Sequence, residues 1–247
     1  MSRYEQTWDT IDPYSFLEPA LLAVAAHNTL ELLLWIFNTF DRRRGLYFYS
    51  ILTAPLSMIG YLAASFMMLF APHTVVPTSI IWAFSYPTLL TAHVLVLYAR
   101  LHLVIPDEPR ILRAVLTMIV VTSAMLVPSQ MTVQFCATAG NKRCLKPGYI
   151  VERVSFGGAC IREFILCAIY VVQALRQFQP ILLSKGCRGR NILVELILVQ
   201  VGGIAMDIGF IVVMCLNLSL VETGYGALVY SMKLKMEFAV LNALRRM

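Results

Sequence analysis

The segment LEPALLAVAAHNTLELLLWIFNTF, residues 17–40, is long and apolar enough to form a membrane-spanning helix. Such a helix needs roughly 20 mostly apolar residues to cross the hydrocarbon core of a bilayer. Six further segments of similar character follow, joined by short polar connections, at residues 46–70, 76–98, 111–131, 150–175, 192–216 and 222–244. The sequence therefore predicts an all-α, polytopic membrane bundle of about seven transmembrane helices.

The composition supports this prediction and leaves no room for a soluble domain. The 247 residues are 59% hydrophobic and only 14% charged, against about 25% charged in soluble domains, and the mean hydropathy is +0.72. No repeat or shift in composition divides the chain, so we predict one integral membrane domain over residues 1–247. The partner implied is the lipid bilayer. The net charge of +6 comes from basic loops and does not indicate a nucleic-acid partner.

The distribution of Lys and Arg predicts the orientation. Basic residues concentrate at 42–44, 100–113, 176–190 and 245–246, which are alternate connections and the C-terminal tail. Because short cytoplasmic loops are enriched in Lys and Arg, the N-terminus is expected outside or in a lumen and the C-terminus in the cytosol. The connection at 132–149 then lies on the non-cytoplasmic side, where Cys136 and Cys144 would be able to form a disulfide.

The last span is less regular than the others. Lys233, Lys235 and Glu237 interrupt it, so the membrane segment is expected to end near Met232, followed by an amphipathic cytosolic helix. Lys233 would also suit a retinal Schiff base, but the third span shows no matching counterion pattern.

Among the acidic residues of the spans, three best fit an acid deep within the membrane and are the candidate catalytic residues: Glu31, Glu163 and Asp207. An acid within the membrane is costly, so it marks a functional site or a paired structural contact. His27 precedes Glu31 by four residues on the same helical face. That pair would protonate a substrate, bind a polar head group or serve as an interhelical hydrogen-bond node.

Arg162, His27 and Tyr98 are the candidate substrate-binding residues. Arg162 is the only basic residue predicted deep within the first six spans, so we expect it to face a carboxylate on another helix. It would then either position a substrate carboxylate or phenolate, or form a structural ion pair. Tyr98 or His27 would relay or remove a proton.

Several familiar kinds of chemistry lack their residues. No aspartate-rich pair occurs within a span to bind Mg²⁺, and the four histidines show no zinc-binding spacing. No nucleotide-binding loop, dinucleotide motif or serine elbow is present, so no metal or cofactor is expected. What remains is a set of isolated carboxyl groups, which tend to keep their protons out of water, among aromatic rings able to stabilise cations. The rings considered are Trp35, Tyr61, Trp82, Tyr86 and Tyr170.

Three segments resemble a family of small fungal seven-helix membrane proteins: ELLLWIF with RRRGLYFYSIL (residues 31–37 and 42–52), VLYARLHLV (96–104) and VERVSFGGACIREFILCAIY (151–170). The family includes membrane-bound meroterpenoid cyclases of the ascofuranone, ascochlorin and macrophorin type. The resemblance implies a metal-independent terpene cyclase of the isomerase or lyase type. Its substrate would be a farnesylated phenol or polyketide, often with a terminal epoxide. Other enzymes of a biosynthetic cluster and an endoplasmic reticulum location are also implied.

The alternative function is a seven-helix receptor for an apolar ligand. The expected outside N-terminus, the basic cytosolic loops and Arg100 at the end of the third span favour it. The short cytosolic loops count against it, because they offer little surface for a signalling partner.

Overall fold

The computed structural model describes the chain except residues 1–15, 40–45, 72, 105–108, 139–144, 186, 217–218 and 246–247. It contains helices α1 (Leu17–Thr39), α2 (Leu46–Phe70), α3 (Val75–Val104), α4 (Pro109–Thr138), α5 (Leu145–Lys185), α6 (Cys187–Cys215) and α7 (Ser219–Arg245). No strand occurs within the described residues, which confirms the all-α prediction.

Six helices, α1 to α6, are long and apolar enough to cross a membrane. The protein is therefore an integral membrane protein. The seventh helix forms as predicted but does not reach the same hydropathy within the described residues, because it carries Glu222, Lys233, Lys235 and Glu237. Its charged positions 233 and 237 are buried inside the protein, which shields them from lipid.

Helices that follow one another in the chain pack side by side, and α7 closes the arrangement against α1. Three further pairs of helices are in contact: α3 with α5, α2 with α7, and α3 with α7. A large apolar core fills the space between α1, α2, α3 and α7, with Leu22, Ile51, Leu89 and Phe238 fully buried. Buried polar and charged side chains of α3, α5, α6 and α7 form a second region of the interior.

The helices extend further than the hydropathy pattern predicted. Most of the expected loop at 132–149 is helical, because α4 continues to Thr138 and α5 begins at Leu145. The last helix continues unbroken past Met232 to Arg245, and the end of its membrane part near Met232 stays a prediction. Lys233, Glu237 and Phe238 beyond that point are all buried against other helices, so this part of α7 is interior rather than an amphipathic surface helix.

Cys136, near the end of α4, is disulfide-bonded. Its expected partner, Cys144, lies outside the described residues. Cys160 and Cys167 are free thiols.

Candidate active site

Lys233 of α7 joins the two acids that the sequence singled out in the fifth and sixth spans. Its Nζ lies 2.6 Å from Glu163 Oε1 on α5 and 2.5 Å from Asp207 Oδ1 on α6. The lysine side chain is 2% exposed, so both ion pairs lie in the protein interior. The ammonium group therefore takes the position between two carboxylates that a bound cation would otherwise take.

His93 of α3 extends this arrangement. Its Nε2 lies 3.4 Å from the same Glu163 oxygen that Lys233 contacts, and its ring packs edge-on against Tyr230, 6.1 Å between centroids. We call His93, Glu163, Asp207 and Lys233 the central cluster. It links four helices through one continuous chain of hydrogen bonds, running from His93 through Glu163 and Lys233 to Asp207.

Gly203 of α6 provides the space in which the Lys233 side chain lies. A Cβ atom added to Gly203 would lie 3.8 Å from Lys233 Cε, an ordinary contact distance, whereas a Cβ on Gly202 would meet nothing within 4 Å. The space left by the missing side chain of Gly203 is therefore occupied by a side chain of α7.

We expect Gly203→Leu to lower the free energy of unfolding by about 1–3 kcal/mol, because the larger side chain would displace Lys233 from its two carboxylates. Gly203→Ala should be tolerated, since it adds only the Cβ. Gly202→Leu is the matched control, with the same gain in helix propensity and no interior neighbour. Detergent-solubilised variants would be compared by thermal unfolding, and equal losses at both glycines would refute this role of Gly203.

Arg162 is buried, but among the described side chains it forms no ion pair with a carboxylate on another helix, so that expectation is wrong. Its Nη1 donates to Thr122 Oγ1 and Ser123 Oγ of α4 at 3.3 and 3.0 Å, and its Nη2 donates to the Leu90 carbonyl of α3 at 3.4 Å. These partners are neutral oxygens. They hold the guanidinium in a fixed orientation without cancelling its charge.

A small cavity of about 10 Å³ lies beside the central cluster, with room for about one water molecule. Arg162, His93 and Glu163 contribute its polar wall. The remaining wall is formed by Leu90, Val94, Ala159, Cys160 and Tyr230. Of the three predicted acids, Glu163 is the one that lines this cavity.

A second polar group lies one to two helical turns along the same four helices. Arg100 of α3 forms an ion pair with Glu237 of α7, and its guanidinium lies over the Tyr170 ring, 5.0 Å from the centroid. Gln200 Nε2 donates to Glu237 Oε1 at 3.4 Å, and Cys167 Sγ donates to Gln200 Oε1 at 2.8 Å. We call these five residues the Arg100 cluster. Arg100 was predicted at a loop, but it lies inside α3 and is 1% exposed.

Glu31 lies in a different place from the other two acids. It pairs with Lys235 of α7, which also donates to Asn28 Oδ1 at 3.2 Å. His27 Nε2 is 4.0 Å from Glu31, as the four-residue spacing predicted, but the His27 side chain is 79% exposed. Glu31 is itself 30% exposed, so this pair lies at the α1–α7 surface and outside the central cluster.

Tyr98 is not a member of the central cluster. It is buried in a hydrophobic cluster with Leu112 and Val115 of α4, to which Tyr170 also belongs. The five aromatic rings proposed for cation stabilisation lie in three places instead of around one pocket. Trp82 stacks on Tyr86, which contacts Tyr61, while Tyr170 belongs to the Arg100 cluster and Trp35 contacts Lys235.

Comparison with protein families identifies one match. A family described as a domain of unknown function, DUF7703, matches residues 15–247. The chain belongs to the DUF7703 family. No curated protein and no solved structure matches it.

In this DUF7703 protein, sequence reasoning missed Lys233, His93, Arg100 and Glu237 as members of the polar interior. In the sequence, each of them resembles a loop residue, an interruption of a span or a histidine without a zinc motif. A spacing signal was present, because His93 and Arg100, Glu163 and Tyr170, and Gln200 and Asp207 are all seven residues apart. Residues seven apart lie on one helical face, two turns from each other. The same face therefore bears polar groups at two levels in three helices.

Proposed function

We propose that the protein is a membrane-bound, metal-independent terpene cyclase that converts an (epoxy)farnesylated phenol or polyketide into a meroterpenoid. The observation that carries the proposal is the position of Glu163. It is a buried carboxyl group at the wall of an interior cavity, hydrogen-bonded to a lysine that is shared with a second carboxylate. The resemblance of the sequence to membrane-bound cyclases supports the same reaction class.

The charged groups of the site have no net charge, and one of them carries a proton that can be transferred. The positive charges of Lys233 and Arg162 balance the negative charges of Glu163 and Asp207. Transfer of a proton from Lys233 to Glu163, along their 2.6 Å hydrogen bond, leaves an amine and a carboxylic acid and does not change the net charge. Glu163 is then the acid, while Lys233 and Asp207 supply and balance its proton.

The reaction would proceed by proton transfer from Glu163 to the epoxide oxygen. The carbon–oxygen bond breaks as the neighbouring olefin attacks the carbon, which forms a ring and moves the positive charge along the chain. The site has lost one positive charge at this stage, so Glu163 and Asp207 attract the carbocation. Loss of a proton from the cation, or capture by the phenol oxygen with loss of its proton, returns the proton to the site. The product is an isomer of the substrate.

The size of the cavity limits how the substrate binds. About 10 Å³ accommodates one oxygen atom of the substrate, whereas sites for molecules of this size occupy roughly 300 Å³ or more. Substrate binding therefore requires the helices around the cavity to separate. Leu90, Val94 and Ala159, which form the apolar wall, would make way for the prenyl chain.

The proposal includes a location in the endoplasmic reticulum, with the N-terminus in the lumen and the C-terminus in the cytosol. The disulfide at Cys136 supports it, because disulfides persist in oxidising compartments. The end of α4 lies on the same side as the start of α1 if each helix crosses the membrane once. The enzymes that prenylate and epoxidise the phenol would act before this protein.

Expression in a fungal host supplied with the epoxyfarnesyl phenol is expected to yield a cyclic product of unchanged mass. Glu163→Gln should reduce the yield at least about 100-fold, as expected for the loss of a general acid, and Asp207→Asn should also reduce it. Glu31→Gln should retain activity, which would distinguish Glu31 from the other two candidate acids. Product amounts would be measured by liquid chromatography with mass spectrometry.

Gln130→Met is the matched control, since Gln130 is buried in α4 and does not line the cavity. Membrane levels of every variant would be compared by immunoblot. If the wild-type protein forms no cyclic product, or Glu163→Gln forms as much as the wild type, the proposed cyclase function is refuted.

The second candidate function is a receptor, and the Arg100–Glu237 ion pair favours it. This buried pair joins α3 to α7, so breaking it would allow the two helices to move relative to each other. A receptor would bind a prenylated phenol without consuming it. Recovery of unaltered ligand together with a ligand-dependent cellular response would therefore favour this function over the cyclase.

A further inference from the structure

Two residues that line the cavity beside Glu163 each have one buried nitrogen atom that none of the described residues bonds. These atoms are Arg162 Nε and His93 Nδ1. Both side chains line the cavity, and both residues are 2% exposed. A buried polar atom without a partner costs about 1–3 kcal/mol. Two such atoms on one cavity indicate that a polar ligand atom binds between them.

The hydrogen-bond roles of these atoms define the ligand atom. Glu163 Oε1 accepts from Lys233, so the neutral His93 tautomer that fits this contact donates Nε2–H to the same oxygen and presents Nδ1 as an acceptor. Arg162 Nε–H is a donor, and the contacts of Nη1 and Nη2 with α4 and α3 fix its direction. The complementary group accepts one hydrogen bond and donates one. Within about 10 Å³, a hydroxyl group meets both conditions.

We infer that Arg162 and His93 form a binding site for the hydroxyl group of an otherwise apolar ligand. Leu90, Val94 and Ala159 complete the wall, so the atoms next to the hydroxyl must be apolar. That this ligand is the substrate or product rests on the proposed cyclase function, whereas the binding site itself does not. Opening of an epoxide produces a hydroxyl, so the site would bind the ring-opened state better than the epoxide. Preferential binding of that state accelerates the reaction.

The test uses the full chain in phosphatidylcholine nanodiscs and three probes that share a farnesyl chain of fifteen carbons and differ only at one end. They are farnesol, its methyl ether and the hydrocarbon with hydrogen in place of the hydroxyl. Binding constants are measured per mole fraction of lipid, which removes the effect of partitioning. We expect farnesol to bind the wild type about 10-fold or more tightly than the hydrocarbon, because one of its hydrogen bonds involves a charged group. The ether, which only accepts, should fall between them.

Arg162→Lys keeps the charge but removes Nε–H, and His93→Leu removes the acceptor. Each is expected to reduce farnesol binding to the level of the hydrocarbon without changing hydrocarbon binding. Gln130→Met is the control, because Gln130 also has a buried, unpartnered Nε2 but does not line the cavity. It should keep the full preference for farnesol.

Equal binding of the three probes to the wild type would overturn the inference and leave water as the only occupant. Because this comparison uses the wild type alone, it decides the question even if a variant fails to fold. A preference for farnesol that survives both Arg162→Lys and His93→Leu would also overturn it. A preference without any cyclase turnover supports the site and refutes the cyclase. Turnover without a preference for farnesol supports the cyclase and refutes the hydroxyl site.

Discussion

Replacement of Lys233 by methionine is expected to lower the free energy of unfolding by about 3–5 kcal/mol, because it leaves two buried carboxylates without their cation. Methionine fills much of the same volume, so the loss reports the charge and not a cavity. Lys235→Met is the matched control in the same helix. Lys235 pairs with Glu31 at a partly exposed site, and such pairs contribute about 1 kcal/mol or less. Unfolding would be measured in mixed detergent micelles.

Neutralising the two acids together with the lysine should recover much of the lost stability. In the triple variant Lys233→Met, Glu163→Gln, Asp207→Asn, no unpaired charge remains among the three, and replacement of a whole buried ion pair is often neutral. If Lys233→Met is as stable as Lys235→Met, or the triple variant is less stable than Lys233→Met alone, the central cluster is not held together as described.

Arg100→Met is expected to have a loss of similar size, about 3–5 kcal/mol, because Glu237 would keep a buried charge without its partner. Arg100 is 1% exposed and contacts Glu237 and Tyr170. The double variant Arg100→Met, Glu237→Gln should be more stable than Arg100→Met alone, and a double-mutant cycle would measure the coupling.

Arg113→Met provides the control for the Arg100 prediction, because Arg113 is an exposed residue of α4. It should change stability by about 0.5 kcal/mol or less. Additive losses from Arg100→Met and Glu237→Gln would contradict a direct ion pair between α3 and α7.

The existence of the helices was predictable because apolar segments of membrane-spanning length have few other folds available. Their ends were less predictable where charged residues lie inside the bundle. Arg100 resembles a loop residue until Glu237 is placed beside it, and Lys233 resembles an interruption until two carboxylates surround it. A hydropathy pattern records the cost of each charge but not the partner on another helix that offsets it.

The candidate site shows the same division. Glu163 and Asp207 were selected by their cost inside the membrane, and the structure brings both to one lysine. Glu31 met the same criterion, yet it lies on α1, which contributes no residue to the cluster, and it pairs with a different lysine, Lys235, at a partly exposed site. Which face of each helix turns inward depends on packing between helices. It cannot be derived from the immediate sequence around any one acid.

The rate of cyclisation by purified protein in nanodiscs tests the central claim, that Glu163 is the acid of a membrane-embedded cyclase, most directly. Single-turnover conversion of the epoxyfarnesyl phenol would be followed for the wild type and Glu163→Gln, together with substrate binding. We predict an isomeric cyclic product from the wild type, and a rate at least about 100-fold lower for Glu163→Gln with binding retained. No product from a folded wild-type protein that binds the substrate, or an equal rate for both proteins, would contradict the claim.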